Sequence, residues 1–220
     1  GGYPSSATAR GMVYMNGTFY VMDKNGTIYN STSTTNDPTT WPGDFISAAI
    51  EPDGGVAIAK SGQYIAAFGN YTMEFFYDAG NSPGIPISPV QNGTIMKGCS
   101  NGNSVAYGDG SFFLLAQNKA QGQAMQASFE VAKVTDLRYE KISNDTIERI
   151  LNADGAAVCF GNVVAILAHN FYTIALPASS LTLAYDIETK LWYVFTTQAA
   201  AAPVTLTTLT SATNVDGTTV

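Results

Sequence analysis

His169 is the only histidine in the 220 residues, so neither a histidine-based catalytic triad nor a multi-histidine metal site can be built from this chain. Together with Asn170 it occupies a predicted two-residue hairpin turn, and histidine is one of the few residues besides glycine that are enriched at positive φ. We therefore predict a structural role in a turn for His169. The alternatives are an interface contact and a pH-dependent switch.

Carboxylates are the second group that could do chemistry, since a pair of them can hydrolyse a glycosidic bond even when they lie far apart in the chain. The densest acidic cluster is Asp44, Glu51 and Asp53. Acidic loop residues are usually solvated, so we expect no catalytic role for this cluster. The phosphate-binding motif GxxxxGK[ST] does not occur in the sequence. The sequence therefore predicts no catalytic, cofactor-binding or metal-binding residues, and a protein that is not an enzyme.

The cysteine content, the net charge and the length of the apolar runs each argue against a class of protein. Cys99 and Cys159 are too few for a disulfide framework, and we predict that both are reduced and buried. Ten basic and seventeen acidic side chains give a net charge of −7, which argues against tight nucleic-acid binding through a basic surface. The longest apolar runs, near 155–160 and 163–168, are far too short to span a bilayer, so no membrane anchoring is expected.

The stretch GQYIAAFGNYTMEFFYDAG (62–80) is rich in aromatic residues and predicts two strands, 64–68 and 71–77, joined by a tight turn at Gly69-Asn70. In that register one face carries Tyr64, Ala66, Phe68, Tyr71, Met73 and Phe75, and the other carries Ile65, Ala67, Thr72 and Glu74. A core role is expected for the aromatic residues, with a platform for stacking a glycan or a base as the alternative. These residues are Tyr64, Phe68, Tyr71, Phe75, Phe76 and Tyr77.

Similar hairpins recur along the chain as a loose repeat of four units, near 12–29, 56–90, 104–135 and 156–195. Each unit contains three or four predicted strands, and the first has Asn-Gly turns at Asn16-Gly17 and Asn25-Gly26. The apolar runs AAFG, FFLLA and VVAILA are nearly continuous, as expected when both faces of a small sheet are covered. We therefore predict an all-β fold, a β-propeller or partial propeller of antiparallel blades, with a β-sandwich as the alternative.

One short helix interrupts the strands. Ser143, Asn144 and Asp145 could cap its start, with Glu148 three residues after Asp145 in a capping-box arrangement. Its apolar stripe consists of Ile147, Ile150 and Leu151. We expect residues 1–220 to form a single propeller-type domain. We also expect this domain to be a piece of a longer chain, because the sequence begins GGYPSSATARG and ends in a Thr-rich stretch.

Four segments, in this order, resemble the packaged-DNA stabilisation proteins of short-tailed bacteriophages, which are also described as tail accessory, hub or nozzle proteins. The segments are EPDGGVAIAKSGQYIAAFGNYTMEFFYDAG (51–80), QNGTIMKGCSNGNSVAYGDGSFFLLAQN (91–118), YEKISNDTIERIL (139–151) and ALPASSLTLAYDIETKLWYVF (175–195). The residues that match the family's short motifs are Phe68, Gly69, Thr72, Glu74, Ile142, Ser143, Ile147, Glu148, Tyr185, Asp186 and Trp192.

This resemblance covers roughly residues 45–197 and implies a structural virion protein of a short phage tail. It implies a propeller-containing subunit that forms a ring, typically a homohexamer, below the portal and its adaptor ring. Such a ring extends the DNA channel and retains packaged DNA. The implied partners are other copies of itself, the portal adaptor ring, the tail needle and the tailspike or fibre proteins, with transient, non-specific passage of DNA. The implied location is the virion tail, assembled in the host bacterial cytoplasm. The alternative function is a glycan-binding propeller module of a phage or bacterial surface protein.

Overall fold

The computed structural model describes residues 7–31, 39–48, 50, 53–117, 128–156, 158–196 and 213–214. Four small antiparallel sheets follow one another along the chain, and each is built from strands that are neighbours in sequence. The first sheet consists of β1 (Val13–Met15), β2 (Thr18–Met22), β3 (Thr27–Asn30) and β4 (Phe45–Ser47). The second consists of β5 (Gly55–Ser61), β6 (Tyr64–Gly69), β7 (Met73–Asp78) and β8 (Ile87–Pro89).

The third and fourth sheets each have five strands, one more than the three or four expected for a unit. The third contains β9 (Gly98–Cys99), β10 (Ala106–Gly108), β11 (Ser111–Gln117), β12 (Phe129–Thr135) and β13 (Arg138–Lys141), with a 3-10 turn over Gly102–Ser104. The fourth contains β14 (Phe160–Ile166), β15 (His169–Leu176), β16 (Leu181–Asp186), β17 (Trp192–Thr196) and β18 (Thr213–Asn214). One helix, α1 (Asp145–Asp154), precedes the fourth sheet. The additional strands β9 and β18 are only two residues long.

Three buried apolar clusters hold the sheets together, one between each consecutive pair. The run from Phe112 to Ala116 shows why the sequence is continuously apolar there. Phe112, Leu114 and Ala116 enter the core shared with the second sheet, while Phe113 and Leu115 enter the core shared with the fourth. A strand buried on both faces needs apolar residues at every position, whereas a half-exposed strand would alternate. This arrangement confirms the prediction of two covered faces for the runs AAFG and FFLLA in the inner sheets. The prediction is wrong for VVAILA (163–168), which is partly exposed throughout.

The outer faces of the first and fourth sheets carry exposed aromatic residues. On the first sheet, Tyr14 and Phe45 point away from the second sheet and are 48% and 60% exposed. On the fourth sheet, Phe160 shares a face with Phe171 and Tyr193 and is 52% exposed. The outer face of the fourth sheet also carries polar residues, among them Asn162 and Thr173.

The β6–β7 hairpin has the predicted faces but a shifted turn. Tyr64 lies opposite Tyr77, and Ala67 lies opposite Glu74, which shifts the pairing by two residues from the register of the predicted turn and leaves the two faces unchanged. Gly69, however, still belongs to β6, and its N–H donates to the carbonyl of Thr72 at 2.8 Å. The turn is therefore centred on Asn70 and Tyr71, because a neighbouring loop supplies bonds that the local sequence does not reveal.

The turn predicted at His169-Asn170 is wrong. The β14–β15 turn consists of Leu167 and Ala168, which have φ values of 49° and 69°, and His169 is the first residue of β15. Both residues of this tight hairpin therefore have positive φ without being Gly, Asn or Asp. Leu167 is 93% exposed at the tip of the hairpin. Residue preference favoured His-Asn as the turn, but the pairing of Ile166 with His169 sets the register.

The helix starts one residue earlier than the capping-box prediction requires. Asn144 is the N-cap, and its side-chain oxygen accepts a hydrogen bond from the N–H of Ile147 at 3.0 Å. Glu148 therefore does not complete a capping box with Asp145. Ile147 and Leu151 are buried in the core between the third and fourth sheets, so the predicted apolar stripe is confirmed.

Candidate functional site

Of the three acidic residues considered for catalysis, the structure shows side-chain hydrogen bonds for Asp53. Glu51 lies outside the described residues. Asp53 uses one carboxylate oxygen to accept hydrogen bonds from the N–H of Tyr71 at 2.5 Å, the N–H of Thr72 at 2.8 Å and the hydroxyl of Thr72 at 3.1 Å. The side-chain amide of Asn70 donates in turn to the backbone carbonyl of Asp53. Asp53 is therefore a structural clamp on the β6–β7 turn rather than the solvated side chain expected.

Gly69 is required beside this carboxylate. A Cβ at residue 69 would lie 2.5 Å from one oxygen of Asp53 and 2.7 Å from the other, closer than real Cβ atoms come. We call Asp53 together with residues 69–72 the Asp53 latch. The latch attaches the end of the loop between the first and second sheets to the β6–β7 turn.

Glu74 is a second acidic side chain with a structural role next to the latch. It is only 5% exposed, and its carboxylate accepts a hydrogen bond from the N–H of Ile50 at 2.9 Å. Burial raises its pKa, and the negative charge of Asp53 raises it further, although the Ile50 hydrogen bond opposes the shift. Both Asp53 and Glu74 thus hold the connection between the first two sheets.

The helix motif also serves a structural purpose. The hydroxyl of Ser143 accepts from the N–H of Val131 at 3.0 Å and donates to the carboxylate of Glu148 at 2.8 Å. Lys141 forms an ion pair with Glu148 at 2.9 Å. These bonds attach the start of α1 to β12, so Ser143 and Glu148 dock the helix on the third sheet.

The hairpin motif of the fourth sheet is held by Asp186. Its carboxylate accepts from the N–H of Glu188 at 3.0 Å and of Thr189 at 3.3 Å, which closes the β16–β17 turn. Burial alone would raise its pKa, but the hydrogen bonds from Thr189 and Glu188 and the nearby His169 outweigh burial and lower the pKa. Trp192 pairs with Tyr185, and its indole N–H donates to the carbonyl of Ile142 at 2.8 Å. The motif therefore ties the fourth sheet to the segment before α1.

His169 contacts this same turn instead of forming one itself. Its Nδ1 lies 2.9 Å from an oxygen of Asp186 and 3.9 Å from one of Glu188. Among the described residues, no group of three or more His, Cys, Asp or Glu side chains could hold a metal ion. The half-exposed imidazole of His169 therefore lies against the buried carboxylate of Asp186, which already accepts hydrogen bonds from two backbone N–H groups.

No pattern in the sequence indicated a partly buried ion pair at the third sheet. Lys97 contacts Glu130 at 2.7 Å, and the hydroxyl of Tyr139 donates to the same carboxylate. Burial raises the pKa of Tyr139, as does its hydrogen bond to Glu130. The three groups satisfy one another, and the ammonium also lies 5.5 Å from the centre of the Tyr139 ring. Only the pairing of β11 with β9 and β12 brings them together, so sequence spacing could not reveal this cluster.

Both cysteines are free and buried, which confirms the prediction for them. Burial raises the pKa of Cys99 to about 12 and that of Cys159 to about 11. Neither thiol is therefore ionised enough at neutral pH to act as a nucleophile. Within the described ranges, no helix has the length and apolar character needed to cross a membrane.

The aromatic residues of the 62–80 stretch differ in burial, and Tyr71, in the β6–β7 turn, is only partly buried. Phe68, Phe75 and Phe76 are buried in the cores, as expected. Tyr64 and Tyr77 remain 38% and 42% exposed. The core prediction therefore holds for the phenylalanines and is wrong for these two tyrosines.

The family model described as Bacteriophage P22 Gp10, beta-propeller, matches residues 3–209 of this chain. The chain belongs to this family. The match confirms the resemblance found in the sequence and identifies the four stacked sheets as propeller blades rather than a sandwich. It also gives the function at its general level, a structural phage protein that stabilises packaged DNA, which argues against an enzymatic activity.

Two further comparisons add little. No curated protein matches the sequence. Among solved structures, the chain is similar to Hsv2 of Kluyveromyces lactis at a TM-score of 0.33 and 10% identity, over 88% of this chain and 73% of that one. No functional inference follows from that similarity.

Proposed function

We propose that this protein is a wall subunit of a short phage tail, which forms a homohexameric ring below the portal and its adaptor ring. In that position the ring extends the DNA channel and retains the packaged DNA. The observation that carries the proposal is the use of the side chains that match the family's motifs. The absence of a side chain at Gly69 makes room for Asp53, and the side chains of Thr72, Asp186 and Trp192 fix a loop, a turn and the segment before α1 against the sheets.

A subunit of a channel wall depends on a rigid fold more than on catalytic residues. Three continuous apolar cores join the four sheets, and polar latches secure the connections between them. A net charge of −7 also suits a conduit, because a wall rich in Lys and Arg would hold the phosphates of DNA instead of letting them pass.

The exposed apolar outer faces support a larger propeller. Tyr14 and Phe45 at one end, and Phe160 at the other, are large apolar side chains that remain exposed. In our proposal, residues 1–220 belong to one propeller-type domain in which further blades of the same polypeptide cover these faces. The tail needle and the tailspike or fibre proteins are the proposed partners of the assembled ring, with assembly in the host cytoplasm and a final location in the virion tail.

Addition of the ring to DNA-filled heads tests the proposal. Purified heads that carry portal and adaptor, but lack this protein, would be incubated with the full-length protein and imaged by negative-stain electron microscopy. We expect a new ring below the adaptor and a fall in the fraction of DNA that DNase can digest. Heads that acquire no ring and keep their DNA equally well without the protein would overturn the proposal.

A further inference from the structure

A cavity of about 940 Å³ lies where the β1–β2 turn of the first sheet meets the second sheet. None of the side-chain contacts described above occupies this cavity. Its lining includes Asn16, Lys60, Gln63, Tyr64, Tyr77 and Gln91. Binding sites for small molecules typically measure about 300–1,000 Å³, so this cavity, which we call the Tyr64 groove, is large enough for an organic ligand of several rings.

Two tyrosines provide the aromatic surface of the groove. Tyr64 and Tyr77 lie directly opposite each other on β6 and β7, so they share a face of the sheet. The neighbouring phenylalanines of the same hairpin are buried, yet these tyrosines are 38% and 42% exposed. Tyr64 also borders a second cavity of about 250 Å³, which is lined by Phe75, Phe112 and Leu137 among others. Exposed aromatic rings with a polar tip suit ligands that have both apolar ring faces and hydroxyl groups.

Side-chain amides supply the polar surface. Gln63 and Gln91 are exposed, and within the described residues neither side chain has a hydrogen-bond partner. Asn16 donates from its amide nitrogen to Asp78 at 2.5 Å, which leaves its amide oxygen as an acceptor. An amide offers both a donor and an acceptor, and a sugar hydroxyl requires the same combination.

Charge decides between a sugar and an anion. Among the described residues, one cation and one anion line the groove, Lys60 and Asp78, so the formal charge of this lining is zero. Both groups already have partners, because Lys60 donates to the carbonyl of Tyr14 at 3.3 Å and Asp78 also accepts from the N–H of Gly80 at 2.9 Å. A lining without excess positive charge offers little attraction to phosphate groups.

We propose that the Tyr64 groove binds a neutral oligosaccharide, with the paired Tyr64 and Tyr77 contacting sugar ring faces and the amides of Gln63 and Gln91 contacting hydroxyls. A phage tail protein would meet neutral oligosaccharides as glycans of the host cell surface. The site lies between the first and second sheets and does not rest on the proposed ring.

A glycan array carrying neutral and acidic oligosaccharides, followed by calorimetric titration of the best ligand, tests the proposal. We expect neutral oligosaccharides to bind, and at least tenfold weaker binding in both Tyr64→Ala and Tyr77→Ala. Tyr64→Phe keeps the ring face and should stay within about threefold of the unchanged protein. Tyr107→Ala is the matched control, because Tyr107 is 50% exposed on the third sheet but does not line the groove.

Gln63→Ala and Gln91→Ala change exposed side chains and keep the test informative if a tyrosine variant fails to fold. Each should weaken binding, since each removes hydroxyl contacts. Three results would overturn the proposal: no neutral oligosaccharide binds, only acidic glycans or a single-stranded oligonucleotide bind, or Tyr107→Ala weakens binding as much as Tyr64→Ala does.

Discussion

Removal of the Asp53 carboxylate should destabilise the chain by about 3 kcal/mol. The carboxylate accepts three hydrogen bonds, from two backbone N–H groups and one hydroxyl. Hydrogen bonds to a charged group are worth about 1.5–3 kcal/mol when they are well buried. Asp53 is half-buried, so water can replace part of each bond, and we take about 1 kcal/mol for each of the three.

Thermal and urea unfolding of Asp53→Ala measure this loss. For a chain of this size, about 3 kcal/mol corresponds to a fall in Tm of about 6–12 °C. Asp44→Ala is the matched control, because Asp44 belongs to the same acidic cluster but forms no hydrogen bond or ion pair within the described residues. Its stability should stay within about 0.5 kcal/mol of the unchanged chain.

A double-mutant cycle with Gly69 makes the test sharper. The three atoms nearest to a Cβ at residue 69 all belong to Asp53, so Gly69→Ala should expel the carboxylate and cost about as much as Asp53→Ala. In the double variant the space left by the carboxylate accommodates the new methyl group. We therefore expect the double variant to be no less stable than either single variant, within about 0.5 kcal/mol. Additive losses, or a harmless Asp53→Ala, would refute the latch.

Three further predictions concern Trp192, the two cysteines and Glu74. Trp192→Phe should lower the free energy of unfolding by about 1–2 kcal/mol in urea, because it removes the hydrogen bond to Ile142 and part of the packing on Tyr185; a loss below about 0.3 kcal/mol would contradict that role. Both thiols should resist Ellman's reagent at pH 8 in the folded chain and react in denaturant, because burial raises the pKa of Cys99 to about 12 and of Cys159 to about 11; rapid reaction of the folded chain would contradict their burial. The pKa of Glu74 is raised above its ordinary value of 4.5, so the stability that it contributes is fully present below about pH 4.5 and is lost as pH rises through the folded-state pKa. Glu74→Gln should remove this part of the pH dependence. Parallel curves of the free energy of unfolding against pH for the two proteins would count against this role.

Local signals predicted the parts of the fold that depend on neighbouring residues. Asn16 and Gly17 in one turn, and Asp109 and Gly110 in another, have positive φ values, because these residues tolerate the left-handed region. The continuous run at 112–116 correctly indicated a sheet covered on both faces. Fold class and the number of sheets could therefore be deduced from residue types and their alternation.

Contacts between distant elements could not be deduced in the same way. The role of Asp53 depends on a hairpin 18 residues further along the chain, and that of Trp192 on a carbonyl 50 residues earlier. The turn at Leu167 and Ala168 was missed because its register is set by the cross-strand pairing, which outweighs the preferences of the two turn residues. The exposure of Tyr64 and Tyr77 was missed because alternation predicts a shared face but not where the covering sheet ends.

A cryo-electron microscopy reconstruction of the complete virion tail tests the central proposal most directly. We expect the stack of four sheets to fit density in a sixfold ring immediately below the portal adaptor, around the DNA channel. Density for these sheets at the periphery of the tail, in a fibre, or nowhere in the DNA-containing particle would contradict a role in the channel wall.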